Sequence, residues 1–259
     1  MKRMSILKKR RAFCLALFLW LPFGSYAQCV AQGELNVAQV SKVIDGDTIH
    51  LTDGRKVRLI GVDTPELDHR DGNHDDFAVE ARMMLKKLAG QVVYWQVGLE
   101  PEDRYGRKLY YLFTKDRVSI SSELLSAGLG YRVAIPPNLN YQSCFDQAEL
   151  EARHAMRGLW QKPPLWQPKA GFTVVRPTID LVTRNRGGWW LETEWDLVIH
   201  IPRFAEHFWT EKELFLLQGK AVEARGWQYQ RKKRQNDRFK SFVLTVKHPQ
   251  DLRRITVSQ

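Results

Sequence analysis

Residues 45–66 read DGDTIHLTDGRKVRLIGVDTPE and place Asp45, Asp47, Asp63 and Glu66 in one short segment with Arg58. Two apolar-alternating runs, Thr48–Leu51 and Lys56–Ile60, flank Asp53-Gly54, which is the signal of a β-hairpin. Such a hairpin starts one arm beside Asp47, carries Arg58 on the other and reaches Asp63 just past its end. Hard divalent cations such as Ca²⁺ take carboxylate and carbonyl oxygens. A phosphate takes a planar guanidinium that can bind it in two places. Carboxylates, an arginine and a further Glu are together the parts for cleaving a phosphodiester. Residues 103–110, DRYGRKLY, add Arg107 after a Tyr-Gly turn, a second phosphate clamp. Taken singly, each of these Asp and Gly residues is an ordinary turn former. His50, His69 and His74 show no metal-ligand spacing.

The elements that must carry these residues are short. Strands are expected near Leu35–Val43, Thr48–Leu51, Lys56–Ile60, Val92–Leu99 and Lys108–Phe113. Asp75–Ala89 has a helical apolar face of Phe77, Ala81, Met84, Leu85 and Leu88, with Gly90 as its stop. Further helices are expected at Ser122–Ser126 and Gln142–Arg157. Three strands, a helix and two strands match a small barrel of the OB type.

In this order and spacing, the chain resembles the staphylococcal nuclease (thermonuclease) family. The matching pieces are Asp45-Gly46-Asp47-Thr48, Arg58-Leu59, Val62-Asp63-Thr64-Pro65-Glu66 and Asp103-Arg104-Tyr105-Gly106-Arg107. Ala127-Gly128-Leu129 and Ala148-Glu149…Ala152-Arg153…Gly158-Leu159-Trp160 follow. The resemblance covers roughly residues 35–162. It implies Ca²⁺ bound by Asp47, Asp63 and the backbone carbonyl of Thr64, with Asp45 as a carboxylate behind these ligands. It implies Glu66 as the general base and Arg58 and Arg107 as the phosphate and transition-state clamps. The implied activity is an exported, Ca²⁺-dependent, sugar-non-specific nuclease hydrolysing DNA and RNA, with single strands preferred. The family's nucleotide-stacking tyrosines fall on Ala134 and Pro136 here, which leaves Tyr131 and Tyr141 as substitutes.

The chain opens with a basic stretch, Lys2 to Arg11, an apolar run Ala12–Leu21, and Ser25-Tyr26-Ala27. This reads as a secretory signal peptide over 1–27; the run is shorter than the ~20 residues of a membrane span, and no stable membrane insertion is expected. The net charge is +11, and the leader holds six Lys/Arg and no acid, so its removal leaves +5, compatible with a polyanionic partner. Of three cysteines, Cys14 leaves with the leader. Cys29 and Cys144 remain, and an even pair in an oxidising compartment suggests a disulfide. The destination is the periplasm or the medium.

The remaining roughly 230 residues suggest two domains: a nuclease-like OB-fold domain over 28–162, and a smaller OB-like β domain over 172–259. A Pro-rich linker over 163–171 separates them. In the second unit, strands are expected at Phe172–Arg184, Trp189–Thr193, Leu197–Ile201, Lys220–Trp227 and Phe239–Val246. Thr210-x-x-Glu213 opens a helix with a capping box, and Gly219 ends it. This unit resembles domains found C-terminal to some bacterial nucleases of the family. Arg231–Lys240, RKKRQNDRFK, is a basic hairpin tip in which Arg231, Lys232, Lys233 and Arg234 could contact nucleic acid. Trp189, Trp190, Trp195 and Trp227 could offer stacking faces, though most are expected to be packing residues. Two other functions fit parts of this pattern. One is a non-catalytic nucleic-acid-binding module, and the other is a cell-envelope interaction protein whose second domain binds protein or glycan.

Overall fold

The computed structural model describes residues 29–68, 71–232 and 239–255. The fold is mainly β. Strands β1 (Asn36–Val43), β2 (Thr48–Leu51) and β3 (Lys56–Leu59) come first, then a two-residue strand β4 (Val62–Asp63) and helix α1 (Ala78–Ala89). Next come β5 (Val92–Glu102), β6 (Lys108–Phe113), α2 (Ile120–Ser126), β7 (Tyr131–Arg132) and α3 (Gln142–His154). Strands β1, β2, β3, β6 and β5 close into a five-stranded barrel, the architecture expected from the sequence. Strand β1 closes antiparallel onto β5, and β3 lies parallel beside β6 with Arg58 opposite Leu109.

The barrel closes around a core that includes Ile49, Val57, Leu59, Phe113 and Phe145, all buried. Val57 and Leu59 alternate with more exposed neighbours along β3, the period of two along a strand, whereas Tyr110–Phe113 of β6 are all buried. Helix α1 buries Ala78, Ala81, Leu85 and Ala89 on one face. It begins three residues after the expected Asp75, because Asp75–Phe77 form the turn that leads in. The small strands β4 and β7 pair outside the barrel, Asp63 opposite Tyr131 and Val62 opposite Arg132. Two residues each are too few to leave a sequence period, and neither was expected.

Cys29 and Cys144 are joined as a disulfide with a Cα–Cα separation of 5.7 Å. It ties the chain ahead of β1 to the first turn of α3. The signal peptide expected over 1–27 lies outside the described residues. Among the described residues, no helix is long and apolar enough to cross a membrane.

The second half is another β unit, built from β8 (Gly171–Val175), β9 (Ile179–Asn185), β10 (Gly188–Thr193), β11 (Leu197–Pro202), helix α4 (Glu211–Phe215), β12 (Val222–Gln230), β13 (Phe242–Thr245) and β14 (Leu252–Arg254). Its seven strands run in the order β14-β12-β13-β11-β10-β9, with β8 also on β12, so this sheet runs from edge to edge where the barrel closes. The single long strand expected over Phe172–Arg184 is two. Pro177 interrupts it, since proline has no N–H for a ladder; β8 pairs with β12 and β9 with β10. The capping box at Thr210 and Glu213 is present. Helix α4 is shorter than expected, and the chain turns until Gly219 at φ +71°. A second core, including Trp189, Leu191, Ile199, Leu214 and Leu244, lies beneath this sheet.

Residues 163–170 form no strand or helix, but they are pinned down. Trp166 stacks on Trp195 at 5.6 Å and its Nε1 donates to Gln228 Oε1 (2.7 Å). Gln228 Nε2 in turn donates to the carbonyls of Gln167 and Lys169.

The two halves meet through buried charge. Arg225 on β12, 2% exposed, donates to Glu149 of α3 (2.8 Å) and to the carbonyl of Arg132 on β7. It also pairs with Glu223, which binds Arg153 of α3 at 2.6 Å. Arg132, wholly buried, donates to the carbonyl of Gln250 and pairs with Asp251 just ahead of β14. The Arg132 N–H donates to Glu149 Oε1. Opposing charge holds Glu149 below the usual carboxylate value despite its burial, with Arg225 the main counter-charge. Glu223 is lowered against burial chiefly by its hydrogen bond from Arg153. Burial outweighs Arg132 for Asp251 and pushes it up to about 6.

Candidate active site

The hairpin register sets the site. Thr48 lies opposite Arg58, so the residue before β2 meets the middle of β3. The Asp47 carbonyl accepts from Leu59 N–H (2.8 Å), and the Asp47 carboxylate accepts from Thr48 Oγ1 and Thr64 N–H. Asp45 accepts from Asp47 N–H, an Asx turn that bends the chain into the strand. Gly46 is required by close approach. A Cβ there would lie 2.6 Å from both Ala81 Cβ of α1 and Thr64 Oγ1.

Arg58 stands at the centre. Its Nη1 is 2.7 Å from Asp47 Oδ2 and its Nη2 is 2.5 Å from Asp63 Oδ1. Nη1 also donates to the Val62 carbonyl (2.9 Å). The β4–β7 pair holds Asp63 in place on the far side. Glu66 opens to solvent, and its N–H and carbonyl both bond Asp75. Arg107 stands apart from the Asp47–Arg58–Asp63 cluster, oriented by Asp103, which accepts from its Nε (2.7 Å) and its N–H. Glu66 feels both arginines, Arg58 more than Arg107.

Negative charge is in excess here. Asp45 is pushed up to about 7 by burial and then by Asp47. Asp63 is pushed up to about 7 by burial, with Asp47 and Glu66 adding to it and Arg58 opposing. Glu66 is also raised, by partial burial and then by Asp47. One guanidinium does not neutralise four carboxyl groups, and a second cation fits the imbalance. Among the described residues no three Asp, Glu, His or Cys side chains form a ready metal cluster. The oxygen donors at hand that could hold such an ion are the carboxylates of Asp47 and Asp63, which meet at Arg58, and the backbone carbonyl of Thr64, whose N–H bonds Asp47. Such an all-oxygen set suits a hard ion such as Ca²⁺.

A family model described as staphylococcal nuclease homologue matches residues 56–162. Over 127 residues the chain is 37% identical to the thermonuclease of Staphylococcus intermedius, covering 48% of this chain and 75% of that protein. The chain belongs to the staphylococcal nuclease family. Two bacterial endonucleases are also similar. An uncharacterized endonuclease of Escherichia coli O157:H7 is 32% identical over 129 residues, 47% of this chain and 75% of that one. Endonuclease YhcR of Bacillus subtilis is 33% identical over 146 residues, 51% of this chain and 12% of the relative.

Neither tyrosine expected to stand in for the family's stacking pair offers a free face. Tyr141 packs edge-on against Tyr111 and Phe113, and its hydroxyl donates to Gln96 Oε1 and accepts from Gln32 N–H. Tyr131 lies between Trp160 and Phe172 where the two halves meet. Of the four tryptophans, Trp189 is buried in the second core and Trp195 stacks on Trp166. Trp227 packs edge-on against Phe172 and remains 40% exposed, and Trp190 stacks on His200. Arg231 lies over the ring of Phe239 at 5.0 Å and Lys232 is exposed. Lys233 and Arg234 lie outside the described residues. Asp75, which ties Glu66 down and is itself paired with Lys169 (3.2 Å), was expected only as a helix start. Its signal is its distance of nine residues from Glu66 across a polar loop, which a sequence cannot distinguish from a solvated turn.

Proposed function

We propose that this nuclease-family hydrolase is exported and cleaves phosphodiester bonds of DNA and RNA with Ca²⁺, using Glu66 as base. The observation that carries this reading is the convergence of Asp47, Asp63 and Arg58 within ion-pair distance, with Glu66 beside them. Asp47, Asp63 and the Thr64 carbonyl would hold the cation, with Asp45 behind them. When bound, the ion supplies Lewis-acid polarisation and a template for the phosphate.

The protein's own groups do the rest. A phosphodiester anion repels an incoming nucleophile, and Arg58 and Arg107 offset that charge from two directions. With the carboxylates' charge shared, the Arg58 guanidinium is free to turn to phosphate, which it can bind bidentately. Glu66, raised above its ordinary value, suits a base working near neutral pH. It takes the proton of a water as that water's oxygen bonds to phosphorus; the P–O bond to the leaving sugar oxygen then breaks and that oxygen takes a proton from solvent water. Asp103 holds Arg107 by its Nε and its backbone N–H. The Cys29–Cys144 bridge supports an oxidising destination, periplasm or medium. Digestion of single-stranded DNA and RNA by the mature protein, with Ca²⁺ and with chelator, tests the reading. Activity should require Ca²⁺ and fall in Glu66→Gln; full activity in chelator would remove the metal from the proposal.

A further inference from the structure

The outer face of the second sheet carries two adjoining hollows that share Asn185. One, of about 210 Å³, is lined by Asn185, Trp190, Glu192, Arg231, Phe239 and Lys240, among others. The other, of about 420 Å³, is formed by Arg184, Asn185, Arg186, Arg203 and Glu206. They lie on either side of the β9–β10 turn, where the Asn185 carboxamide oxygen accepts from Gly187 N–H and from the Trp190 indole (3.0 Å). The Trp190 ring is fixed on its other side by stacking on His200 at 4.0 Å. Phe239 is 65% exposed. The first hollow is thus an aromatic slot with a cationic edge.

The second hollow is a cationic shelf. Arg184 pairs with Glu206 at 3.0 Å. Arg186 and Arg203 are exposed, and among the described residues neither has an ion-pair partner. Among the described residues lining the two hollows, five cations face two acids, so the surface favours a polyanion. Aromatic rings beside such a track are how single strands are held: the rings take bases and the cations take phosphates. A base can enter the slot only when it is unpaired.

We propose that this patch is a binding site for single-stranded nucleic acid, remote in sequence from Glu66, with a base between Trp190 and Phe239 and phosphates on Arg186 and Arg203. The inference rests on the nucleic-acid substrate proposed above. It places the contact on the β9–β10 turn as well as beside Arg231 and Lys240.

The test uses the full mature chain carrying Glu66→Gln, so that binding is read without cleavage. The probe is a fluorescent DNA single strand of about 15 nucleotides, the upper span of an OB-sized site. Arg186→Ala with Arg203→Ala should weaken binding at least about tenfold, and should reduce the salt slope by about 0.7 for each phosphate no longer neutralised. Phe239→Ala should weaken the same strand but leave an abasic strand of equal length unaffected. These side chains are exposed, so unchanged thermal unfolding checks that the variants fold. The proposal is overturned if neither variant moves affinity or slope, or if the intact protein binds the abasic strand as tightly as the ordinary one. The nuclease reading is tested separately, with Glu66 intact, by cleavage of a dinucleotide-sized substrate. Arg186, Arg203 and Phe239 variants should retain that cleavage. Its absence in the unsubstituted chain would sink the nuclease reading and leave the binding result standing.

Discussion

Arg58 is the residue on which the site turns, because two carboxylates claim it at once. Lysine could carry the charge but not two directed contacts, so Arg58→Lys should cost more in turnover than in stability. Glu66→Gln keeps shape and removes the base, and Arg107→Ala removes one clamp. Each should lower kcat by at least about 10² at saturating Ca²⁺, measured by single-turnover digestion. A loss under tenfold for Glu66→Gln would argue for another base. The meeting of Asp47, Asp63 and Arg58 was legible in the sequence because polar groups at fixed spacings around a hairpin leave a direct trace. Asp75 and Asp103 were less legible as positioning groups. Each acts by holding nearby groups in place, which in sequence looks like any loop aspartate.

At the scale of elements, the hairpin, the barrel strands and the three helices followed from period and turn chemistry. The β4–β7 pair did not, although it carries Asp63, because two residues cannot show alternation. Helix α1 touches the site through Gly46. Gly46→Ala would put a Cβ 2.6 Å from both Ala81 Cβ and Thr64 Oγ1, so one or both must move away. Overpacking of this kind typically costs about 1–3 kcal/mol, and here it would also shift Thr64. Both a lower melting temperature and weaker Ca²⁺ binding by calorimetry are expected; an unchanged Ca²⁺ affinity would show that α1 does not set the ligand geometry. The Cys29–Cys144 bridge closes a loop with a sequence separation of 115, for which chain-entropy arguments give about 4–5 kcal/mol and practice often less. Urea unfolding with and without reductant should show a clear drop in midpoint; coincident curves would mean that the N-terminal segment is held by its other contacts.

At the scale of the whole molecule, two cores are joined by a layer of charge rather than by apolar surface alone. Glu149→Gln would leave Arg225 buried beside an uncharged neighbour, and breaking a buried pair costs about 3–5 kcal/mol. The pH dependence has a definite sign. Glu149 and Glu223 are held below 4.5, so their contribution is full above that value and is lost as the pH falls through their lowered values. Asp251 works the other way: pushed up to about 6, it favours the protonated folded state, and its contribution fades as the pH rises through that value. Melting temperature against pH should therefore fall on the acid side in the natural chain and fall less steeply in Glu149→Gln. Parallel acid limbs would show that this carboxylate does not govern acid unfolding. Little of this layer was legible beforehand. Glu149 and Arg153 stood out as motif positions without a role, and Arg225 reads as one residue of a strand, since charge pairing across more than seventy residues leaves no local pattern.

That layer also bears on what happens when the chain is cut. Residues 163–170 form no regular structure and are the natural place for a protease to nick. A nick there severs one covalent path but leaves Arg225 on Glu149, Arg132 on Asp251 and Trp166 or its remnant on Gln228. Separation would require guanidinium and carboxylate groups to be rehydrated together on two newly exposed faces. Limited digestion should accordingly give two bands on a denaturing gel and a single particle by native mass spectrometry. The nicked protein would behave as a heterodimer made from one gene, released only by acid or denaturant, and fragments that parted freely in neutral buffer would show the charged layer to be weaker than its geometry implies.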